Sequence, residues 1–290
     1  MKKRTWIFLA LICLCLVVFF CYRTVKRMRA DTVAPQIHIS SDELQLSVQA
    51  SDDELLQGVT AKDNKDGDVT GSVVVESIRL TDPDGTANVT YAAFDRAGNV
   101  TKASRQVKYT DYESPRFSLE APLVFAQNSS VDVLSLIRAT DLLDGDITRR
   151  IRATSLTENA INSLGTHDVE CRITNSLGDT VELILPVEVY PTGTYQASLK
   201  LTEYLIYLPA GADFDPRDYL DSFTMGGEDT SLKYGIPQTL SLRTAGTVNT
   251  KTPGVYSIGY TVNYKADSAG GREEGRTYSG YSKLIVVVEE

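Results

Sequence analysis

The first apolar stretch of the chain is long enough to form a membrane-spanning helix. Between Arg4 and Arg23 run eighteen uncharged residues, TWIFLALICLCLVVFFCY. At a rise of about 1.5 Å per residue, such a helix is roughly 27 Å long, close to the thickness of the hydrocarbon core of a bilayer. Trp6 and Tyr22 lie at its two ends, where interfacial aromatic residues belong. The pattern predicts a transmembrane segment over residues 6–22.

Two interpretations of this segment are open, an uncleaved signal anchor and a cleaved signal peptide. The charged start at residues 2–4 fits both. No A-x-A cleavage pattern follows the apolar stretch, and no lipobox precedes Cys13, Cys15 or Cys21. The missing cleavage signals favour the anchor.

The charges that flank the segment are balanced, so they do not decide its orientation. Only about five residues precede the helix, whereas long C-terminal domains are translocated largely regardless of charge. We therefore expect a cytoplasmic tail at residues 1–5, a juxtamembrane linker at 23–33, and the remaining chain outside the cell.

After the linker, the hydrophobic pattern changes from continuous to alternating. Short runs of period two, bounded by Asp-Gly, Asn and Pro turns, predict half-buried strands. Helix is nearly absent, and residues 133–137 are the one candidate for a helical turn. The alternating runs include Val89/Tyr91/Ala93, Val169/Cys171/Ile173, Leu183/Leu185/Val187/Val189, Ile258/Tyr260/Val262 and Leu284/Val286/Val288.

The strands recur in units of about 80 residues. The segment AKDNKDGDVT at 61–70 returns at 139–148 as ATDLLDGDIT, an offset of 78. The segment at 85–98 returns at 165–178, an offset of 80. A third and more divergent copy aligns GVYSIGYTV at 254–262 with the second at an offset of 89. Many short strands in units of this length predict one β-sandwich per repeat.

We therefore predict an all-β chain of three tandem immunoglobulin-like β-sandwich domains behind one N-terminal transmembrane helix. The domains are placed at residues 34–110, 113–190 and 195–290. The third is longer, chiefly through a Gly-rich insertion around 269–271. Proline at the short junctions stiffens them, which predicts a semi-rigid stalk.

The repeated blocks resemble a family of bacterial immunoglobulin-like repeats found in pesticidal crystal proteins and Gram-positive surface proteins. The first repeat has the A-x-D-x-x-D-G-D-[VI]-T block and a strand ending in DRAGNV at 95–100. The second repeat weakens this ending to NSLGD at 175–179, and the third lacks the D-G-D turn. The resemblance covers about residues 34–290. It implies a sandwich fold and a role as a spacer or adhesive module, without enzyme activity.

Charge and cysteine content narrow the classes of partner and compartment. Seven of the 29 basic residues precede Asp31, which leaves 22 basic against 38 acidic residues in the rest of the chain. Nucleic acid is excluded as a partner because a duplex needs a basic face, whereas an acidic surface suits solubility or divalent cations. Cys171 is the single cysteine beyond the apolar stretch, so the soluble part forms no internal disulfide, as fits a Gram-positive surface.

The acidic turns of the first two repeats contain the carboxylates that could bind a metal ion. Calcium is the one cofactor that they suggest. An EF-hand would place its bidentate glutamate at Val74 or Arg152, so that ligand is missing. The alternative is a tight turn without a metal ion. In such a turn, the Asp side chains accept hydrogen bonds from backbone N–H groups, and Gly67 or Gly145 has a positive φ. The mismatch to the EF-hand favours the turn. The candidate ligands are Asp63, Asp66, Asp68, Asp141, Asp144 and Asp146.

Cys171 and His167 lie on one face of a predicted strand, which suggests a thiol nucleophile with its base. Cys171 aligns with Tyr91 and Tyr260 of the sister repeats, so its position is one of packing. His38 is the only other histidine. We therefore expect no catalytic residues.

The third repeat is rich in tyrosine and lies furthest from the membrane segment. Its tyrosines are either strand residues or an aromatic surface for an extracellular protein or glycan. They are Tyr195, Tyr204, Tyr207, Tyr219, Tyr234, Tyr256, Tyr260, Tyr264, Tyr278 and Tyr281.

The sequence thus predicts a non-enzymatic, single-pass membrane protein of a bacterial cell surface, whose extracellular C-terminal domains act as a stalk or an adhesion and binding module. The alternative is an accessory ectodomain subunit of a membrane protein complex, in which the helix packs against partner subunits. Small residues or a GxxxG motif along the helix would favour that alternative, and this segment is bulky instead.

Overall fold

The protein divides into two compact units, Met1–Tyr112 and Glu113–Glu290, in a computed structural model. The structure describes residues 2–29, 31–153, 162–265 and 275–290. The Gly-rich insertion predicted around 269–271 lies outside the described residues.

The N-terminal apolar stretch forms helix α1, Lys2–Arg29. The helix therefore includes residues 23–29, which the sequence pattern assigned to the linker. Trp6–Lys26 is long and apolar enough to cross a membrane, a property that N-terminal signal sequences share. Its bulky side chains are open to the surroundings, with Trp6 74% and Phe8 68% exposed.

The first unit continues as a sandwich of a three-stranded and a four-stranded sheet. The order is β1-β3-β4 in one sheet and β2-β7-β6-β5 in the other, with β2 parallel to β7. The bounds are β1 Gln36–Ile39, β2 Glu43–Leu46, β3 Val59–Asp63, β4 Gly67–Asp68, β5 Val74–Asp82, β6 Thr86–Phe94 and β7 Val100–Tyr109.

Alternation along β6 builds the core of this sandwich. Val89, Tyr91 and Ala93 have no exposed surface, and Val107 on β7 is likewise fully buried. The predicted inward face of this strand is therefore confirmed. Successive side chains of a strand point to opposite faces, so these residues share the face toward the other sheet.

A short helix, α2 at Asp52–Leu55, is an element that the hydrophobic pattern missed. Ser51 and Glu54 form a capping box at its start, a local signal present in the sequence. Leu55 is buried, and its carbonyl accepts a hydrogen bond from the buried Tyr91 hydroxyl, so the helix packs on the core of the sandwich.

The first part of the second unit repeats the same topology. Sheets β11-β10-β8 and β12-β13-β14-β9 again contain three and four strands, and β9 is parallel to β14. Residues Val133–Leu136 form a 3-10 helix, which confirms the helical turn predicted there. The bounds are β8 Arg116–Leu119, β9 Val124–Ala126, β10 Ile137–Asp141, β11 Gly145–Asp146, β12 Arg152–Ala153, β13 Gly165–Thr174 and β14 Thr180–Tyr190.

The rest of the second unit is one continuous seven-stranded sheet. Its order is β18-β17-β15-β21-β20-β19, and β16 pairs with the C-terminal half of β21. The long strand β21 thus joins strands that the other repeats keep in separate sheets. The bounds are β15 Ala197–Leu201, β16 Leu205–Pro209, β17 Leu220–Met225, β18 Glu228–Ser231, β19 Leu240–Ala245, β20 Gly254–Lys265 and β21 Thr277–Glu289.

The two parts of the second unit share a hydrophobic core. Leu205 on β16 and Ile285 on β21 are buried in the same cluster as Phe117, Val169 and other residues of the second repeat. The predicted fold class, an all-β chain of packed sheets behind one N-terminal apolar helix, is confirmed. The predicted boundaries between the domains at 113–190 and 195–290 stay a prediction.

Candidate functional site

The acidic turn of the first repeat joins β3 to β4. Asp63 ends β3, and its Oδ1 accepts hydrogen bonds from the backbone N–H groups of Lys65 and Asp66, each 2.8 Å long. Gly67 has a φ of 76°, a value that favours glycine. The bonds from Asp66 and Lys65 hold the pKa of Asp63 below its usual value.

The other two aspartates of this turn accept hydrogen bonds from different backbone groups. Asp66 Oδ2 accepts from Arg96 N at 2.8 Å, and Asp68 Oδ1 accepts from Thr70 N at 2.9 Å. Each carboxylate therefore holds a separate part of the backbone in place.

The second repeat builds the same turn from equivalent residues. Asp141 Oδ1 accepts from Leu143 N and Asp144 N, at 2.9 and 2.8 Å. Asp144 Oδ2 accepts from Ser176 N at 2.7 Å, and Asp146 Oδ1 accepts from Thr148 N at 2.9 Å. Gly145 has a φ of 69°. The pattern of side chains holding backbone groups is thus shared by both turns.

Within the described residues, one cluster of acidic side chains has the geometry to hold a metal ion. Of the six ligands predicted from the sequence, it contains Asp63 alone. Carboxylate oxygens of Asp31, Asp63 and Asp95 all lie within 4.8 Å of one another. Asp63 is 4% and Asp95 8% exposed, and the side chain of Asp31 is 9% exposed. Three largely buried carboxylates therefore converge from the linker, the last residue of β3 and the residue after β6.

Hydrogen bonds from Asn99 join this cluster to the linker. Asn99 Nδ2 donates to Asp95 Oδ2 at 2.6 Å and to the Asp31 carbonyl at 3.2 Å, while Asn99 N donates to Asp95 Oδ1 at 2.8 Å. Burial raises the pKa of Asp95, but the bonds from Asn99 outweigh it, and the pKa is lowered. Lys65 Nζ lies 3.6 Å from Asp31 Oδ1 and is the basic group paired with the cluster.

Sequence reasoning missed Asp31 and Asp95, because it looked for ligands within one loop. Asp95 follows β6 directly, and the repeat offset of 80 aligns it with Asn175. That exchange of a carboxylate for an amide, at a position next to the acidic turn, was the available signal.

The alternative that pairs Cys171 with a histidine base, which the repeat alignment argues against, does not describe the second repeat. Cys171 is 1% exposed and lies in the hydrophobic core, where burial raises its pKa to about 11. His167 Nε2 lies 2.8 Å from the carbonyl oxygen of Ser163. Tyr91 and Tyr260, at the aligned positions, are also fully buried, so the prediction of a packing position is confirmed.

The tyrosines of the third repeat do not form one surface. Tyr260 is in the core, Tyr195 stacks on Tyr281 with ring centroids 5.1 Å apart, and Tyr234 is 97% exposed. Tyr204, Tyr207 and Tyr219 line an open groove of about 460 Å³. A subset of the predicted aromatic residues is therefore available to a ligand.

Charged residues accompany the tyrosines in this groove of the second unit. The Arg116 guanidinium lies 5.1 Å from the centre of the Tyr207 ring and 3.1 Å from Glu289 Oε2. Phe117 N donates to the Tyr207 hydroxyl at 2.9 Å. Burial raises the pKa of Tyr207 to about 12, so its hydroxyl stays protonated at neutral pH.

No family model and no curated protein matches the chain. Among solved structures, it is similar to CBM51-2 in complex with GlcNAc and INT domains from Clostridium perfringens ZmpB, at 16% identity over 88% of this chain and 41% of that one, with a TM-score of 0.22. It is also similar to the protocadherin GammaB4 extracellular domain, at 9% identity over 89% of this chain and 50% of that one, with a TM-score of 0.20.

A third solved structure of comparable length is Drosophila N-cadherin EC1-3. The identity is 13% over 86% of this chain and 98% of that one, with a TM-score of 0.28. The chain spans half or less of the length of the first two structures. At these TM-scores, the similarities carry no argument about ligands or partners.

Proposed function

We propose that this is a non-enzymatic, membrane-anchored protein of a bacterial cell surface, built from the immunoglobulin-like repeats that its motifs resemble. Helix α1 serves as the anchor, and the sandwiches act outside the cell as a stalk and a binding module. The observation that carries the proposal is the exposed apolar surface of α1, followed by β-sheets whose hydrophobic faces are buried.

The anchor follows from the cost of leaving α1 in water. Its described apolar side chains between Trp6 and Val25 are large and exposed. Removing one such side chain from water stabilises it by about 1.5–3 kcal/mol, so a bilayer favours the helix strongly. The same surface would also suit partner helices, which is the arrangement of an accessory subunit.

Cell fractionation with protease shaving tests the anchor. We expect the full-length mass in the membrane fraction, and we expect added protease to remove peptides of the sandwiches from intact cells. A double variant, Leu11→Lys with Val18→Lys, places two charges in the apolar segment and should release the chain from the membrane. Leu11→Val with Val18→Leu is the matched control and should stay anchored.

The outcomes separate the anchor from its alternatives. A secreted chain that lacks the apolar segment would show that α1 is a cleaved signal peptide and would overturn the anchor. A stoichiometric membrane partner in pull-downs from intact cells would support the accessory-subunit role instead of a free stalk.

We assign ligand binding to the groove lined by Tyr204, Tyr207 and Tyr219. Ring faces beside a guanidinium suit a glycan or a protein segment, because they combine apolar area with fixed polar groups. Binding of the full chain in detergent micelles to purified cell-wall glycan and to a glycan array would test this. Tyr204→Ala and Tyr219→Ala should weaken binding at least tenfold, while Tyr234→Ala, an exposed tyrosine outside the groove, should not. Equal binding by all three variants would contradict the assignment.

A further inference from the structure

We propose that Asp31, Asp63 and Asp95 bind one divalent cation of the calcium class, and that the ion fastens the linker after α1 to the first sandwich. This site is independent of the proposed groove. It differs from a loop site built from Asp63, Asp66 and Asp68, because two of its three ligands come from outside the acidic turn.

A buried oxygen without a donor is the first argument. Asp63 Oδ1 accepts two backbone hydrogen bonds, but Asp63 Oδ2 is buried and has no hydrogen-bond partner. Buried polar atoms in native proteins are nearly always satisfied, and a charged oxygen is the costliest to leave alone. An ion at this oxygen supplies the missing partner.

The second repeat shows where this oxygen points and what satisfies it when no ion is needed. There, Asn175 Nδ2 donates to Asp141 Oδ2 at 3.0 Å. Asp141 is equivalent to Asp63, and Asn175 is equivalent to Asp95. In the first repeat, the donor amide is therefore replaced by a carboxylate, which can only accept. Neither carboxylate oxygen can donate to the other, so a cation between them would satisfy both.

The charge of the cluster matches a divalent ion. Three carboxylates face one basic group, Lys65 Nζ at 3.6 Å from Asp31, which leaves two negative charges uncompensated among these groups.

Size and ligand type favour calcium. Calcium takes oxygen ligands at about 2.3–2.6 Å, so two ligands on opposite sides of one ion are about 4.6–5.2 Å apart. The carboxylate oxygens of the cluster lie within 4.8 Å of one another. Magnesium needs a tighter shell of about 2.0–2.1 Å, which would require the carboxylates to approach further.

The ion would act on the linker because Asp31 belongs to it. Asn99 already binds the carbonyls of Asp31 and Val33, at 3.2 and 3.3 Å. A cation bound by Asp31, Asp63 and Asp95 adds a second and stronger attachment at the same place. We therefore infer that calcium fixes the chain between α1 and the first sandwich.

Calcium binding to the full chain in detergent micelles tests the proposal. Equilibrium dialysis with radioactive calcium, after removal of metal with EDTA, should give one ion per chain, with a Kd near the 10⁻⁴–10⁻³ M that is typical of extracellular modules. Asp95→Asn and Asp31→Asn should each weaken binding at least tenfold. Asp63 itself is not the test position, because its Oδ1 also holds the turn.

Asp68→Asn is the matched control. It removes the same charge from the same acidic turn, but its carboxylate faces Thr70 N and not the cluster. Circular dichroism of each variant checks that it is folded. One ion bound by the wild type and by Asp68→Asn, with loss in the two cluster variants, supports the site. No binding at millimolar calcium, or equal binding in every variant, would overturn it.

Discussion

The acidic turns of the first and second repeats have the same backbone but satisfy their buried aspartate differently. In both, one carboxylate oxygen holds two backbone N–H groups at 2.8–2.9 Å. The second oxygen of Asp141 receives a hydrogen bond from Asn175 Nδ2, whereas the second oxygen of Asp63 has none. At the position that faces this oxygen, the repeats have side chains of nearly the same shape but different hydrogen-bonding chemistry, Asp95 against Asn175.

This difference separates what the turn needs from what a ligand needs. The backbone bonds, the positive φ of the glycine and the hairpin are common to both repeats, so they belong to the fold. The turn itself does not require a second oxygen at position 95, since an amide nitrogen takes that place in the second repeat, although here the oxygen accepts a hydrogen bond from Asn99 Nδ2. Its presence beside Asp31 and Asp63 is therefore best explained by a ligand.

The largest effect is expected from copying the first repeat into the second. Asn175→Asp replaces the donor to Asp141 with a second carboxylate, and both residues are buried. Losing the bond and burying an unpaired acceptor should lower the free energy of unfolding of this unit by about 2–3 kcal/mol at neutral pH. Urea unfolding of the full chain in micelles, with hydrogen exchange to assign the transition to the second unit, measures it.

Asn249→Asp is the control for this change. It introduces the same charge at an exposed turn, where Oδ1 accepts a bond from Lys251 N that an aspartate can also accept. Asn249 Nδ2 donates to the Thr252 hydroxyl, which can rotate to donate to an aspartate instead. It should change stability by less than about 0.5 kcal/mol. If Asn175→Asp were equally mild, the amide would not be what satisfies Asp141.

A smaller effect of opposite sign is expected from the reverse exchange. In EDTA, Asp95→Asn should raise the free energy of unfolding of the first unit by about 1 kcal/mol, because the new amide can donate to Asp63 Oδ2 and one like charge is removed. We expect these gains to outweigh the loss of the hydrogen bond that Asp95 Oδ2 accepts from Asn99 Nδ2. In millimolar calcium, the wild type should gain stability and the variant should not, since only an ion bound to the folded state stabilises it. Thermal unfolding with and without calcium separates the two conditions.

The comparison fails if calcium stabilises Asp95→Asn as much as the wild type. It also fails if the variant is less stable than the wild type in EDTA, because the amide would then not be able to replace the ion. Asp68→Asn, in the same turn, should respond to calcium like the wild type.

The sequence could predict the repeat and the turn, because both depend on local patterns. Alternating apolar residues and a recurring D-G-D block placed β6, β13 and the hairpins near their observed positions. Glycines 67 and 145 have the positive φ that such turns need. Helix α2 was missed because its four residues are too short for a hydrophobic period, although the capping box at Ser51 marks its start.

The candidate cation cluster could not be read from spacing, because its three residues are 32 positions apart from one to the next. Asp31 lies in the linker, Asp63 at the end of β3 and Asp95 at the end of β6. Only the fold brings these positions together. The shared core around Leu205 and Ile285 is a similar case, since it depends on how β16 and β21 pack on the second repeat.

The two repeats also differ at the centre of their cores. Tyr91 donates to the Leu55 carbonyl at 2.8 Å and accepts from Arg105 Nε at 2.8 Å, so the first core contains a satisfied polar group. Cys171 occupies the aligned position of the second repeat, in an apolar cluster that includes Leu185. The first core therefore holds the buried guanidinium of Arg105 by hydrogen bonds, whereas the second core has a buried thiol at the aligned position.

The smallest expected effect follows from that thiol. Burial raises the pKa of Cys171 to about 11, above the value of 9.0 for an unperturbed thiol. The folded state thus keeps a proton that the unfolded state loses as pH rises above 9, so the thiol's contribution to stability is complete below pH 9 and is lost as pH approaches 11. Between pH 7.5 and 9.5, the wild type should lose up to about 1 kcal/mol more stability than Cys171→Ala. Buried tyrosines titrate in both proteins, and their contribution cancels in the difference. Urea unfolding at the two pH values measures it, and parallel pH dependence of the two proteins would show that the Cys171 thiol is not shielded by the second core.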